Sequence, residues 1–204
     1  MRAGFPDFRL GSVLATSFTG TLSERHGEPV ERIPTPQRLA DWLAVNGLAV
    51  DSCTAAQLAL ARELRESIHV AATAAALEDA LPEPAVQVIN ARSAQGRAAA
   101  ILTPEGKRRW QLSPTPSVED ALSVIAADAI TILAGERDGK LALCASPTCQ
   151  AAFFDTSQSR TRKWCDMNTC GNRQKKARFN ANRRKNHSQA ETNQAPSTSK
   201  VDRA

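Results

Sequence analysis

Residues 144–185 read CASPTCQAAFFDTSQSRTRKWCDMNTCGNRQKKARFNANRRK, and this stretch organises the reading of the whole chain. Four of the five cysteines fall in it, Cys144, Cys149, Cys165 and Cys170, as two Cys-x4-Cys pairs separated by fifteen residues. Two short-spaced thiol pairs joined by a loop can reach the corners of a tetrahedron, which is how zinc takes four soft ligands, and no large apolar core is needed. A gap of four is wider than the usual two, so disulfide pairing is the competing reading of the same cysteines. Phe153, Phe154 and Trp164 lie between the pairs and are candidates to pack beside a small metal site, a kind of module that folds only around its ion. Arg162, Lys163 and Arg173 stand close enough in sequence to offset part of the double negative charge of a zinc tetrathiolate, a structural role that competes with a binding one.

Charge is distributed unevenly along the chain. Residues 160–185 hold ten Lys or Arg against the single acid Asp166, or +9, while the other residues carry 16 basic and 20 acidic side chains. A basic block on an otherwise acidic protein implies a local polyanion site, for which nucleic acid is the commonest partner. A membrane surface fits less well because the basic stretch has almost no apolar face to insert. The pattern predicts a helix over 171–186 with Arg173, Lys176, Asn180, Arg183 and Arg184 on one broad face, and with Ala177 and Phe179 turned back toward the cysteines. Arginine can pair bidentately with phosphate or guanine and asparagine with adenine, so one face can both position and read. The bland alternative is a solvated surface helix.

Outward from this region, the N-terminal part reads as mainly helical. Pro34 and Pro36 mark a turn, Thr35 an N-cap, and Leu39, Trp42 and Leu43 a helix ending at Gly47. A longer helix is predicted over 54–79 from the stripe Leu58, Ala61, Leu64, Ile68, Ala72 and Ala75. Pro82 and Pro84 close it, and a short helix follows over 85–92. Residues 97–102 and 107–112 flank Thr103-Pro104-Glu105-Gly106 and read as a hairpin, the one β element expected in this part. Ser117 caps a last helix through Val118, Ala121, Leu122, Ile125, Ala129 and Ile132 to Gly135.

The chain is therefore expected to divide into residues 1–137, 138–186 and 187–204, the last a disordered polar tail. No signal peptide and no membrane-length apolar run is read in the sequence, which predicts a cytoplasmic protein with reduced thiols. His26 and His69 have no ligand cluster near them in sequence and read as structural, His187 is superfluous beside four cysteines, and Cys53 reads as a buried or loop thiol. Asp155, Thr156 and Ser157 read as a turn that holds the finger's loop. No Ser/His/Asp set, glycine-rich phosphate loop or carboxylate pair suggests catalysis, so no catalytic residue is assigned.

The segment from Cys144 to Lys185 closely resembles the CGNR zinc finger through Phe154-Asp155-Thr156-Ser157, Arg162-Lys163-Trp164-Cys165-Asp166-Met167 and Cys170-Gly171-Asn172-Arg173. The resemblance implies structural zinc held by Cys144, Cys149, Cys165 and Cys170, with a basic segment on DNA. The N-terminal part resembles the ABATE domain through Pro36, Leu39, Trp42-Leu43, Gly47-Leu48 and Leu64-Arg65-Glu66, and the family is one of stress-induced or transcription regulators. Ser17 and Gly20 stand where that family commonly carries Asp and Asn, which puts in question any ligand sensing those residues serve.

The fold expected is α+β and mainly α: a helical N-terminal domain with a small β-hairpin, then a treble-clef-like or ribbon-like four-Cys finger and a basic helix. The function expected is DNA binding by Arg162, Lys163, Arg173, Lys176, Asn180, Arg183 and Arg184, with the N-terminal domain sensing a ligand or mediating assembly, including as a homo-oligomer. RNA or an acidic protein is the alternative partner. An enzyme is least supported, because four thiolates leave zinc no open position.

Overall fold

A computed structural model describes residues 5–193, with side chains to residue 184. The chain forms two compact units, Met1–Cys165 and Asp166–Ala204. In chain order the first holds α1 (Leu14–Thr19), β1 (Leu22–Ser23), β2 (Val30–Glu31), α2 (Pro36–Val45), α3 (Ala55–Ala76), α4 (Glu83–Gln95), β3 (Ala99–Leu102), β4 (Arg108–Gln111), α5 (Val118–Leu133), β5 (Lys140–Leu143) and β6 (Ala152–Asp155). The second holds a π-helical turn, Met167–Gly171, and α6 (Asn172–Asn193). The strands make three antiparallel two-stranded pairs, β1–β2, β3–β4 and β5–β6, so the fold is mainly α with small hairpins.

Helix α5 is the axis of the first unit. Ten of its sixteen residues are buried, including Val124 and Ala126 off the expected stripe, so it is covered on several sides by α1, α3 and α4. The expected caps form: Thr35 accepts from Arg38 N–H, Thr54 and Gln57 make a reciprocal capping box, and Ser117 and Asp120 make another. Gly47 and Gly135 take φ of +76° and +73° just past their helices, where a side chain would be strained. Trp42 and Phe18 pack with ring centroids 5.1 Å apart, and both are fully buried.

Helices α1, α4 and α6 and the β1–β2 pair depart from the sequence expectation. Helix α1 and the β1–β2 pair were not foreseen: α1 has six residues and no side-chain cap, and the strands are two residues each, too short for a periodic signal. Helix α4 begins at Glu83 rather than 85, because Pro84 sits in its first turn, where a missing N–H costs nothing. Helix α6 runs on past 186 to Asn193, since neither Gly nor Pro interrupts it before Pro196. Residues 187–193, expected as tail, are therefore helical, and 194–204 lie outside the described residues.

The first two strands of the expected 138–186 segment pack within the first compact unit. Strands β5 and β6 lie against α3, and β6 also meets α1; Leu141, Ala152 and Phe154 complete the same buried cluster as Leu64, Ile68 and Ala129. Phe154 thus serves the N-terminal core instead of a separate finger core. Gly139 allows it in: a β-carbon there would lie 2.2 Å from the Phe154 ring.

Candidate metal centre and basic helix

Cys144 follows β5 directly, and the turn to Cys149 is closed by Cys149 and Gln150 N–H groups on the Ser146 carbonyl, at 3.0 and 3.1 Å, and by Cys144 N–H on Ala151 O at 3.0 Å. Gln150 pays for the tight return with φ of +45°. Cys165 is brought alongside by the loop after β6, where Ala145 N–H donates to Lys163 O at 2.8 Å. Asp155 fixes that loop from beneath: buried at the end of β6, its carboxylate accepts from Ser157 N–H and Arg162 N–H, both at 2.9 Å. This is the turn-holding role expected of the Asp155-Thr156-Ser157 run. Cys170 lies in the π-helical turn, whose start is capped by Asp166 Oδ1 accepting from Asn168 N–H.

The Sγ atoms of Cys144, Cys149, Cys165 and Cys170 lie within 4.8 Å of one another, and Cys149 and Cys165 are 3.6 Å apart. Zinc with Zn–S bonds of about 2.3 Å in a tetrahedron separates its sulfurs by about 3.8 Å, so the spacing and the donor set both fit zinc. None of the four is in a disulfide. Hydrogen bonds from the Cys149 and Cys165 thiols hold the Cys144 thiol far below its ordinary value, and the same contacts push Cys149 and Cys165 up. Sulfurs this close share protons that a metal ion displaces on binding, which makes zinc uptake proton-releasing.

The finger's first knuckle is also tied to the N-terminal region. Thr148 Oγ1 donates to Glu24 Oε2 at 2.8 Å, and His26 N–H donates to Thr148 O at 3.1 Å. Glu24 is buried and takes φ of +56° to present its carboxylate. Gly27 leaves the space: a β-carbon there would come within 3.0 Å of Thr148 Cβ. His26 thus contributes backbone, and His69, half-buried, is held down at about 4 by burial and by the positive charge of Arg25. No sequence signal marked this contact, since its partners are 124 positions apart.

The candidate contact residues fall into two groups. Arg162 is already engaged: it lies 5.3 Å from the Phe153 ring centroid, and its Nη2 donates to Cys165 O at 2.9 Å. It braces the chain beside Cys165, a role different from the charge offset expected of it. Lys163 is exposed beside it. Arg173, Lys176, Asn180, Arg183 and Arg184 are all exposed on α6. The expectation that Ala177 and Phe179 pack away from solvent fails, for both are exposed and Phe179 retains 65% of its accessible surface. Described side chains of α6 from Lys175 onward are exposed on every side, as a helix with so few apolar residues must be.

Against families of known proteins, residues 12–136 match the ABATE family, described as "Putative stress-induced transcription regulator", and residues 140–183 match the CGNR zinc finger. No curated protein matches the sequence. The four clustered cysteines lie within the matched finger and form a possible zinc site. Among the described residues, no helix is long and apolar enough to cross a membrane.

Proposed function

Since the chain belongs to the ABATE family and continues into a CGNR zinc finger, we propose that it is a cytoplasmic, zinc-dependent transcription regulator that binds DNA through the basic helix α6. Zinc is held by Cys144, Cys149, Cys165 and Cys170 in a structural role, closed to substrate because all four positions are protein sulfurs. The observation that carries the reading is a four-sulfur centre followed directly in the chain by a helix whose described side chains present Arg, Lys and Asn to solvent on all faces. Such a helix has no apolar face to bury, and a phosphate backbone is a partner that its cations suit. Arg173, Lys176, Asn180, Arg183, Arg184 and Lys163 are the contacts, while Arg162 acts through the finger's own backbone. The N-terminal unit senses a ligand or mediates assembly, including between copies of the chain. RNA is the second reading, favoured by Phe179, whose exposed ring on a basic helix suits stacking on an unpaired base.

The test is titration of fluorescent duplex DNA with zinc-replete protein across a salt series, with RNA and an acidic protein as competitors. Stoichiometric zinc, affinity falling steeply with salt and selective displacement by duplex are expected. Arg173→Ala with Arg183→Ala is expected to weaken binding about ten-fold or more with zinc retained. Tight binding by the double variant removes α6 from the interface, and displacement by RNA alone favours the second reading.

A further inference from the structure

Most cations of the N-terminal helical region have a defined partner. Between residues 5 and 140, Arg9, Arg25, Arg38, Arg62, Arg65, Arg92, Arg137 and Lys140 each face a carboxylate, and Arg32 is buried against backbone oxygens and Ser23. The β3–β4 hairpin is different. Lys107, Arg108 and Arg109 are consecutive and exposed, and Arg97 stands exposed at the hairpin's base. No carboxylate pairs with any of these four among the described residues. The cleft of about 330 Å³ bordered by Arg108, Arg109, Trp110 and Asn46 is lined by no acid.

The hairpin is held as a fixed projection. Asp120, buried at the start of α5, accepts from Arg97 N–H at 2.6 Å on one oxygen and from Ser113 Oγ at 2.6 Å on the other, so one carboxylate clasps both ends. Gly96 presses this base onto α5, where a β-carbon would lie 2.1 Å from Ser123 Oγ. Beyond the base every residue of β3 and β4 is exposed except half-buried Trp110, and Leu102 keeps 79% of its surface. Successive side chains alternate across a strand, so Arg108 and Arg109 leave the ribbon on opposite faces. Arg108 is steadied over the Trp110 ring at 5.1 Å.

We propose that the β3–β4 hairpin is a second nucleic-acid contact, a ribbon that lies between the two phosphate backbones of a duplex groove. Cations on both faces suit a ribbon flanked by phosphate on either side; a flat acidic protein surface would engage only one face. A two-stranded ribbon is narrow enough for a major groove about 12 Å wide. The inference rests on the DNA-binding reading above and adds a contact that reading does not contain.

The test compares full-length, zinc-loaded protein with Lys107→Gln/Arg108→Gln/Arg109→Gln, titrating fluorescent duplex across a salt series with the thermal melt as a control. The triple variant is expected to melt as wild type does and to bind about ten-fold more weakly at 0.1 M salt, with a salt slope shallower by about 2 to 3. Should its melt fall, Arg109→Glu alone, at an exposed position of β4, is expected to weaken binding several-fold. Wild-type binding matched by a well-folded variant, in affinity and slope, overturns the hairpin contact alone. Absence of duplex binding by wild type overturns the reading of α6 and this one together.

Discussion

Thr148 shows how much one hydroxyl can carry. It stands inside the first cysteine knuckle, yet its partner is Glu24, whose carboxylate is buried and whose backbone is held at φ of +56°. A strained, buried carboxylate persists only where its surroundings over-determine it. Thr148→Val keeps the shape and removes one donor from that carboxylate, so the urea midpoint of zinc-loaded protein is expected to fall by the equivalent of about 1 to 2 kcal/mol, with faster zinc loss to a chelator. An unchanged midpoint would mean that water replaces the hydroxyl. The cysteines themselves were legible because their signal is local spacing. The Thr148–Glu24 pair was not, because nothing in either neighbourhood points to the other.

Caps and turns are the elements the sequence announces best, and β3–β4 illustrates the limit. The turn at Thr103 to Gly106 was readable from its residues, with Gly106 at φ of +70° as the type demands, and so was the Ser117 cap. The second duty of Asp120 was hidden: as the third residue of α5 it completes a capping box, and it also gathers Arg97 and Ser113. Burial pushes its pKa up, but the hydrogen bonds from Ser113, Arg97 and Ser117 outweigh this and hold it at about 2. Its ionised form therefore adds stability fully present above about pH 4 and lost as pH falls toward 2. Asp120→Asn is expected to cost about 1 to 2 kcal/mol at pH 7, with the gap to wild type closing between pH 4 and 2 in denaturant melts. A gap that stays constant with pH would assign the loss to packing instead. Short α1 and the two-residue strands β1 and β2 were illegible for another reason: tertiary contacts form them, as with Ala15 N–H on Asp128 at 2.8 Å.

At the scale of the molecule, the helical N-terminal unit and the four-cysteine finger were both foreseen, but not that the finger's hairpin completes the other's core. Leu141, Ala152 and Phe154 reach that core only when β5 and β6 are held in register, and the knuckle of Cys144 and Cys149 bridges their ends. Zinc removal is therefore expected to destabilise the first unit as a whole. Chelation, or Cys165→Ser, should lower the melting temperature followed through the buried Trp42 by several degrees or more. If Trp42 fluorescence melts unchanged after zinc loss while the metal is gone, the finger is energetically separate. The same packing bears on how such chains can be recombined. Two segments that look like interchangeable cassettes in sequence share one interior, so a cut between them at residue 137 bares apolar surface on both fragments. A finger grafted here must bring residues shaped to pack against α1 and α3, so the two matched segments are expected to exchange only as one piece.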